Sequence, residues 1–156
     1  MAAGITDAPH VPRLAQLSDA EEMARLSIEF GYSTTIAHTT WSLAALLESP
    51  RHFVAVVPGP SGALLGWLVA ERRLLLETGE FVEITGLVVT PLARRLGVGT
   101  ALVVAAERWA LDQGFGTIRV RSNVTRPESH PFYESIGFTR KKTQHTYEKP
   151  LPSAPA

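Results

Sequence analysis

The chain has 156 residues, 45% hydrophobic and 19% charged, which suits one domain with a real core. Its 15 Lys and Arg balance 15 Asp and Glu, so the net charge is zero and nucleic-acid binding by bulk charge is disfavoured. It has no Cys, no apolar run long enough to span a bilayer and no secretory signal in its first ten residues. A disulfide framework, a thiol nucleophile and a thiolate metal site are thereby excluded. The expectation is a cytoplasmic enzyme or binding domain with neither membrane nor nucleic acid as partner.

In chain order, residues 1–9 are small and polar and are expected to fray, and residues 11–17 alternate as a short first strand does. Ser18 offers an N-cap with Glu21 three residues on, opening a helix whose apolar positions include Met23, Leu26, Ile28 and Phe30. Gly31 suits its C-terminal cap. A polar loop over 32–38 leads to a second helix from Thr39 or Thr40, through Trp41, Leu43, Leu46 and Leu47, ending before Pro50. Residues 52–57 and 63–75 form a hairpin across the turn Pro-Gly-Pro-Ser-Gly at 58–62. After a turn at 77–80, residues 82–90 are rich in Val, Ile and Leu and make a strand that Pro91 stops.

Gly97 and Gly99 open the next helix, which runs to about Gln113 with Val98, Leu102, Ala105 and Trp109 as its core stripe. A strand over 117–121 puts Ile118 and Val120 on one face and Arg119 and Arg121 on the other. A loop over 123–129 precedes a short helix over 131–136, with Pro131 in its first turn and Gly137 as its stop. Residues 138–140 and 143–149 read as a last strand pair around Lys141 and Lys142, and 150–156 as a loose tail. The resulting order, β-α-α-β-β-β-α-β-α-β-β, implies an α/β (α+β) domain with a mixed, mostly antiparallel, seven-stranded sheet and helices on both faces. A single domain is expected, its core at about 11–150.

The stretch 81–102 joins strand, basic turn and helix, an arrangement suited to phosphate. Glycines let the backbone approach a ligand, and the helix start offers unpaired N–H groups and the positive end of its dipole. By itself the pattern also fits an ordinary tight turn. A dinucleotide fingerprint is disfavoured because Leu102 stands where a third small residue belongs and the next strand ends in Arg121. A P-loop is disfavoured because no Gly-Lys-Ser/Thr is present.

The pattern Arg94-x-x-Gly97-x-Gly99 resembles the pyrophosphate motif of the acetyl-CoA-dependent N-acetyltransferases of the GNAT superfamily. The strand VEITGLVV before it, and Asn123 followed by HPFYESIGF at 130–138, resemble that family's fourth strand and second motif in the same order. The firm resemblance covers 81–138, and it implies a GNAT fold that takes acetyl-CoA as co-substrate.

Acetyl transfer to an amine sets three tasks. Pyrophosphate would be held by the backbone and side chains of Arg94, Arg95, Leu96, Gly97, Val98, Gly99 and Thr100. By resemblance, Leu87, Val88 and Val89 would pair with the pantetheine arm, and the N–H near Val88 or Val89 would polarise the thioester carbonyl. By resemblance also, Glu83 is a candidate general base acting through water, against the alternative of an ion pair with an Arg. Tyr133 matches the family tyrosine that reprotonates the leaving thiolate, against the alternative of packing on the cofactor.

Asn123 is carried as a pantetheine contact, Arg126 as either a CoA-phosphate contact or a solvated side chain, and His130 as a cap of the short helix. Phe132 and Phe138 read as core. The five His residues share no ligand spacing, so no metal is expected. The acceptor, a small-molecule or protein amine, is expected near the loop between the first two helices and the turn around Lys141. The loop at 30–40 has hydroxyls and aromatics but no acidic cluster, so a polycationic acceptor is not indicated. The resemblance allows a homodimer. A non-catalytic acyl-CoA sensor of the same fold is the alternative to an enzyme.

Overall fold

The computed structural model describes residues 10–123 and 129–153. The chain divides into two compact units, Met1–Arg121 and Ser122–Ala156.

The first unit is built on a five-stranded sheet in the order β1 to β5: β1 (Arg13–Leu14), β2 (His52–Pro58), β3 (Leu64–Leu75), β4 (Gly79–Val89) and β5 (Ile118–Val120). Successive pairs are antiparallel except β4 and β5, which are parallel and joined through a helix. Alternation along β2 and β3 sends Val54, Val56 and Val69 into one cluster with Met23, Leu26 and Leu43, which come from α1 (Ala20–Phe30) and α2 (Ile36–Glu48). On the other face Phe53 stacks on Trp109 of α3 (Val98–Asp112), ring centroids 5.6 Å apart. The sheet thus has helices on both faces. Leu26, Leu68 and Leu102 are fully enclosed, and truncating any of them to Ala should cost about 2–5 kcal/mol.

Two helix starts differ from expectation. The chain enters α1 through a 3-10 turn at Leu17–Asp19, so Ser18 and Glu21 form no capping box. Asp19 instead turns back, taking the Gln16 N–H at 2.7 Å and the Arg13 guanidinium at 2.8 and 2.9 Å. The Arg13 pair holds the Asp19 carboxyl below its ordinary range. Ile28 of α1 points outward, 53% exposed. Helix α2 begins one turn earlier than expected because Thr35, not Thr39 or Thr40, accepts the N–H of His38 at 3.0 Å. The core stripe of α3 is Val98, Leu102, Val103, Ala106 and Ala110; Ala105 and Trp109 are half-buried beside it.

The second unit contains α4 (Ser129–Ser135), whose chain exit is fastened by the Phe138 N–H donating to the Tyr133 carbonyl at 3.0 Å. The strands expected at 138–140 and 143–149 are not formed. Residues 139 to 153 are exposed, so no buried face enforces a ladder, and among the described residues the sheet has five strands where seven were expected. Among the described residues no helix is long and apolar enough to cross a membrane.

Candidate active site

The centre of the site is the end of β4. β5 pairs with it only at Val82–Ile84, whereas β4 runs on to Val89 with β3 beside it. Between the two segments the register against β3 slips by one residue: Gly86 faces Val69 but Ile84 faces Ala70, which makes Thr85 a bulge. Beyond the bulge β4 has a ladder partner on its β3 side only, among the described residues. Leu87, Val88 and Val89 lie on this open edge, with Val88 buried and its two neighbours half-buried. An extended ligand with amide groups can add to such an edge as a strand does. The position after the bulge has no room for a side chain, because a Cβ at Gly86 would stand 2.6 Å from Cζ3 of Trp67.

The turn after β4 is wound so that a helix start is presented. Thr90 is anchored by its N–H to the Leu65 carbonyl at 2.8 Å. A 3-10 turn at Pro91–Ala93 follows, and Arg95 (φ 64°) and Gly97 (φ 84°) both take left-handed backbone conformations. The Ala101 N–H is bonded to the Gly97 carbonyl at 2.9 Å, so the N–H groups of Val98, Gly99 and Thr100 precede the first closed helical bond. A Cβ at Gly97 would meet no atom of the protein within 4 Å. Gly97 therefore answers to its backbone angle and to the open space before the helix. Arg94, Arg95 and Thr100 are exposed around it, Leu96 and Gly99 are half-buried and Val98 is core. No acidic side chain among the described residues pairs with Arg94 or Arg95.

Glu83 is buried, its side chain 5% exposed, and its carboxylate is held from both sides. Arg73 Nη1 donates to Oε2 at 2.6 Å, and Arg121 Nε lies 2.8 Å from Oε1. Glu83 raises the proton affinity of the Arg73 guanidinium above its ordinary value, chiefly through that hydrogen bond. Phe81, two residues earlier on the same face, lies under Arg119 at 4.2 Å and Arg73 at 5.9 Å. Neither arginine partner was singled out from the sequence. Arg119 and Arg121 were recognised as sharing one strand face; Arg73 sits ten residues from Glu83 on the antiparallel neighbour, where only the hairpin register brings the two together.

In the second unit Tyr133 is half-buried between Phe132 and Phe138, with ring centroids 5.1 and 5.6 Å away and both contacts edge-on. His130 lies within α4 rather than before it, and its Nε2 is 3.4 Å from the Asn123 carbonyl oxygen, so it ties α4 to Asn123 and does not cap the helix. Arg126 lies outside the described residues. Among those described, no three His, Asp or Glu side chains gather as a metal site.

Beside the bulge, between α1, α2 and the sheet, is a cavity of about 330 Å³. Met23, Leu43, Leu46, Trp67, Val69 and Thr85 are among its walls. None of these was marked as a site residue from the sequence, because helix and strand positions of apolar type read as core.

The five-stranded sheet, bulged at Thr85 and followed at the end of β4 by the start of α3, is the scaffold of the candidate site. The chain belongs to the acetyltransferase (GNAT) family, whose model matches residues 15–138 and so runs through both units. Members of this family are acetyl-CoA-dependent acyltransferases. An aminoglycoside N(6')-acetyltransferase type 1 of Klebsiella aerogenes is 34% identical over 101 residues, 63% of this chain and 66% of that protein. An uncharacterized N-acetyltransferase of Bacillus subtilis (strain 168) is 32% identical over 80 residues, 51% of this chain and 55% of that protein. The chain thus spans just under two thirds of the first relative and about half of the second. The fold is shared with aminoglycoside N-acetyltransferase AAC(6')-Iy, solved in complex with CoA, at a TM-score of 0.81 and 18% identity, covering 96% of this chain and 98% of that one.

Proposed function

We propose that the protein is an N-acetyltransferase that moves the acetyl group of acetyl-CoA to a primary amine by direct attack, with both substrates bound together. The observation that carries this reading is the pairing of two features: an open β4 edge beyond the Thr85 bulge, and a left-handed Gly97 that opens α3 next to it. The absence of Cys removes the usual thiol nucleophile of a two-step route.

In this reading the cradle from Arg94 to Thr100 binds pyrophosphate through main-chain N–H groups, the helix dipole and the guanidiniums of Arg94 and Arg95. Leu87 and Val89 align the pantetheine arm, and the main-chain N–H of Val88 or Val89 stabilises the oxyanion. The neutral amine attacks the carbonyl carbon; a C–N bond forms, the C–S bond breaks and the electron pair leaves on sulfur. Tyr133 gives its phenolic proton to that thiolate, and Asn123 contacts the pantetheine; both roles rest on the motif they share with the family. Water takes one proton from the substrate ammonium before attack, and the second proton, lost from nitrogen as the amide forms, returns to the Tyr133 phenolate and restores the acid. Glu83 was the candidate for the first of these steps, but its tie to two arginines supports a structural role, fastening β3 and β5 to β4.

The test is thermal shift with acetyl-CoA followed by free-thiol release over a panel of amines. Stabilisation together with thiol release is expected. Stabilisation with no release by any amine would make the protein an acyl-CoA sensor instead.

A further inference from the structure

The cavity beside the bulge is walled from one unit of the chain, and its chemistry is unusual for a site that must receive an ammonium. Beyond the walls already named, its lining consists of Gly86, Tyr32, His38 and the hydroxyl residues Ser27, Thr34, Thr39 and Ser42, which join Thr85. No carboxylate lines it among the described residues. Four acids of the flanking elements are paired elsewhere. Glu22 and Glu29 of α1 pair with Arg25 at 2.8 and 3.6 Å, and Glu22 also takes the Leu64 N–H at 2.9 Å. On the strands Glu83 is held by Arg73 and Arg121, and Glu71 lies 3.9 Å from His52. Part of the hydroxyl capacity is spent as well: Ser27 donates to the Met23 carbonyl at 2.8 Å, and Thr34 and Thr39 share a contact at 3.3 Å.

We propose that this cavity binds the acyl acceptor, and that the acceptor is a small amine with one cationic nitrogen on an apolar or aromatic body, not a polycation. The inference rests on the acetyl-transfer reading and adds the substrate class. Taking an ammonium out of water costs several kcal/mol unless a partner charge replaces the lost hydration. A polycation would incur that cost at every nitrogen, with hydroxyls but no carboxylate among the described walls to offset it. A monoamine must shed its charge once, and it does so at the reacting nitrogen in any case. Its body then gains from Met23, Leu43, Leu46 and Trp67. The volume of about 330 Å³ lies at the small end of the range for ligand pockets, about 300–1,000 Å³, which suits one ring and a short arm.

The experiment compares 2-phenylethylamine with tobramycin on the full chain, reading free-thiol release from acetyl-CoA, for the unaltered protein and for Ser42→Asp. A kcat/KM at least about tenfold higher for 2-phenylethylamine is expected, with the preference narrowed by Ser42→Asp, which puts a carboxylate in the wall. Tobramycin used as well as 2-phenylethylamine, or better, overturns the inference and leaves acetyl transfer standing. If acetyl-CoA binds but no amine releases thiol, the acetyl-transfer reading fails, and calorimetry on the CoA-loaded protein decides the rest. Tighter binding of 2-phenylethylamine than of tobramycin then keeps the cavity assignment; absent or reversed preference overturns it.

Discussion

Glu83 and Arg73 meet at 2.6 Å across the β3–β4 ladder, and the opposite oxygen of the same carboxylate faces Arg121 of the chain leaving β5 at 2.8 Å. A carboxylate bound in this way joins three consecutive strands of the chain's parallel-to-antiparallel junction. Glu83→Gln should therefore lower stability by about 1–3 kcal/mol, because it removes one buried charge and leaves two part-exposed cations without it. The pH dependence of kcat/KM should keep its shape. Thermal unfolding and a pH–rate profile, measured on one preparation, check both. A rate loss that deepens toward low pH with no loss of stability would restore Glu83 as the base.

Gly97 combines φ 84° with open space ahead of its Cβ position. Gly97→Val should weaken acetyl-CoA binding tenfold or more, since a branched side chain would project into the proposed pyrophosphate cradle and would strain the left-handed turn by about 1–2 kcal/mol. Gly114→Ala, at φ 92° beyond the far end of α3, carries similar backbone strain without touching the cradle. Calorimetric titration of acetyl-CoA should show a defect in the first variant only.

The strand, turn and helix from 81 to 102 were legible from the sequence because each is set by local rules: β-branched density, Pro91, then Gly97. The Thr85 bulge was not legible, since it is a mismatch between two strands and neither strand shows it alone. The same holds for the ion pairs of Glu83, whose partners come from other strands. The start of α2 was misplaced because three threonines compete for the cap, and only the backbone angle at Thr35 decides among them. The strand pair expected after Gly137 shows the converse: alternation at 143–149 was read as a strand, but those exposed residues have no buried face to enforce one.

The Tyr133 ring packs edge-on against Phe132 and Phe138. Tyr133→Phe keeps the ring and removes the proton. The expected result is a fall in kcat of about 10²-fold, the lower end for general acid–base assistance, with the Kd for acetyl-CoA changed by less than about twofold. Pre-steady-state thiol release with a saturating amine separates the two. An unchanged rate would remove Tyr133 from proton transfer.

Asp19 and Glu22 are both held below their ordinary values of 3.8 and 4.5, by hydrogen bonds from Arg13 and Arg25 respectively. A depressed carboxyl stabilises the fold above its unfolded value and loses that contribution as pH falls through its folded one. Stability should thus be flat above about pH 5 and decline below it as these groups take protons. Asp19→Asn should cost about 1 kcal/mol at pH 7, allowing for the part-exposed Arg13, and should shrink the acid decline. Urea unfolding at pH 7 and pH 3.5 measures both effects.

The proposed acetyl transfer brings the amine to the open β4 edge and places the donor on the cradle from Arg94 to Thr100. Its most direct test is mass spectrometry of the amine after incubation with acetyl-CoA and protein, run alongside the Gly97→Val variant. The account requires an N-acetylated amine and an equal amount of free CoA thiol, with both lost or strongly reduced in the variant. Bound acetyl-CoA that stays intact across the amine panel, or acetylation that proceeds undiminished in Gly97→Val, would contradict it.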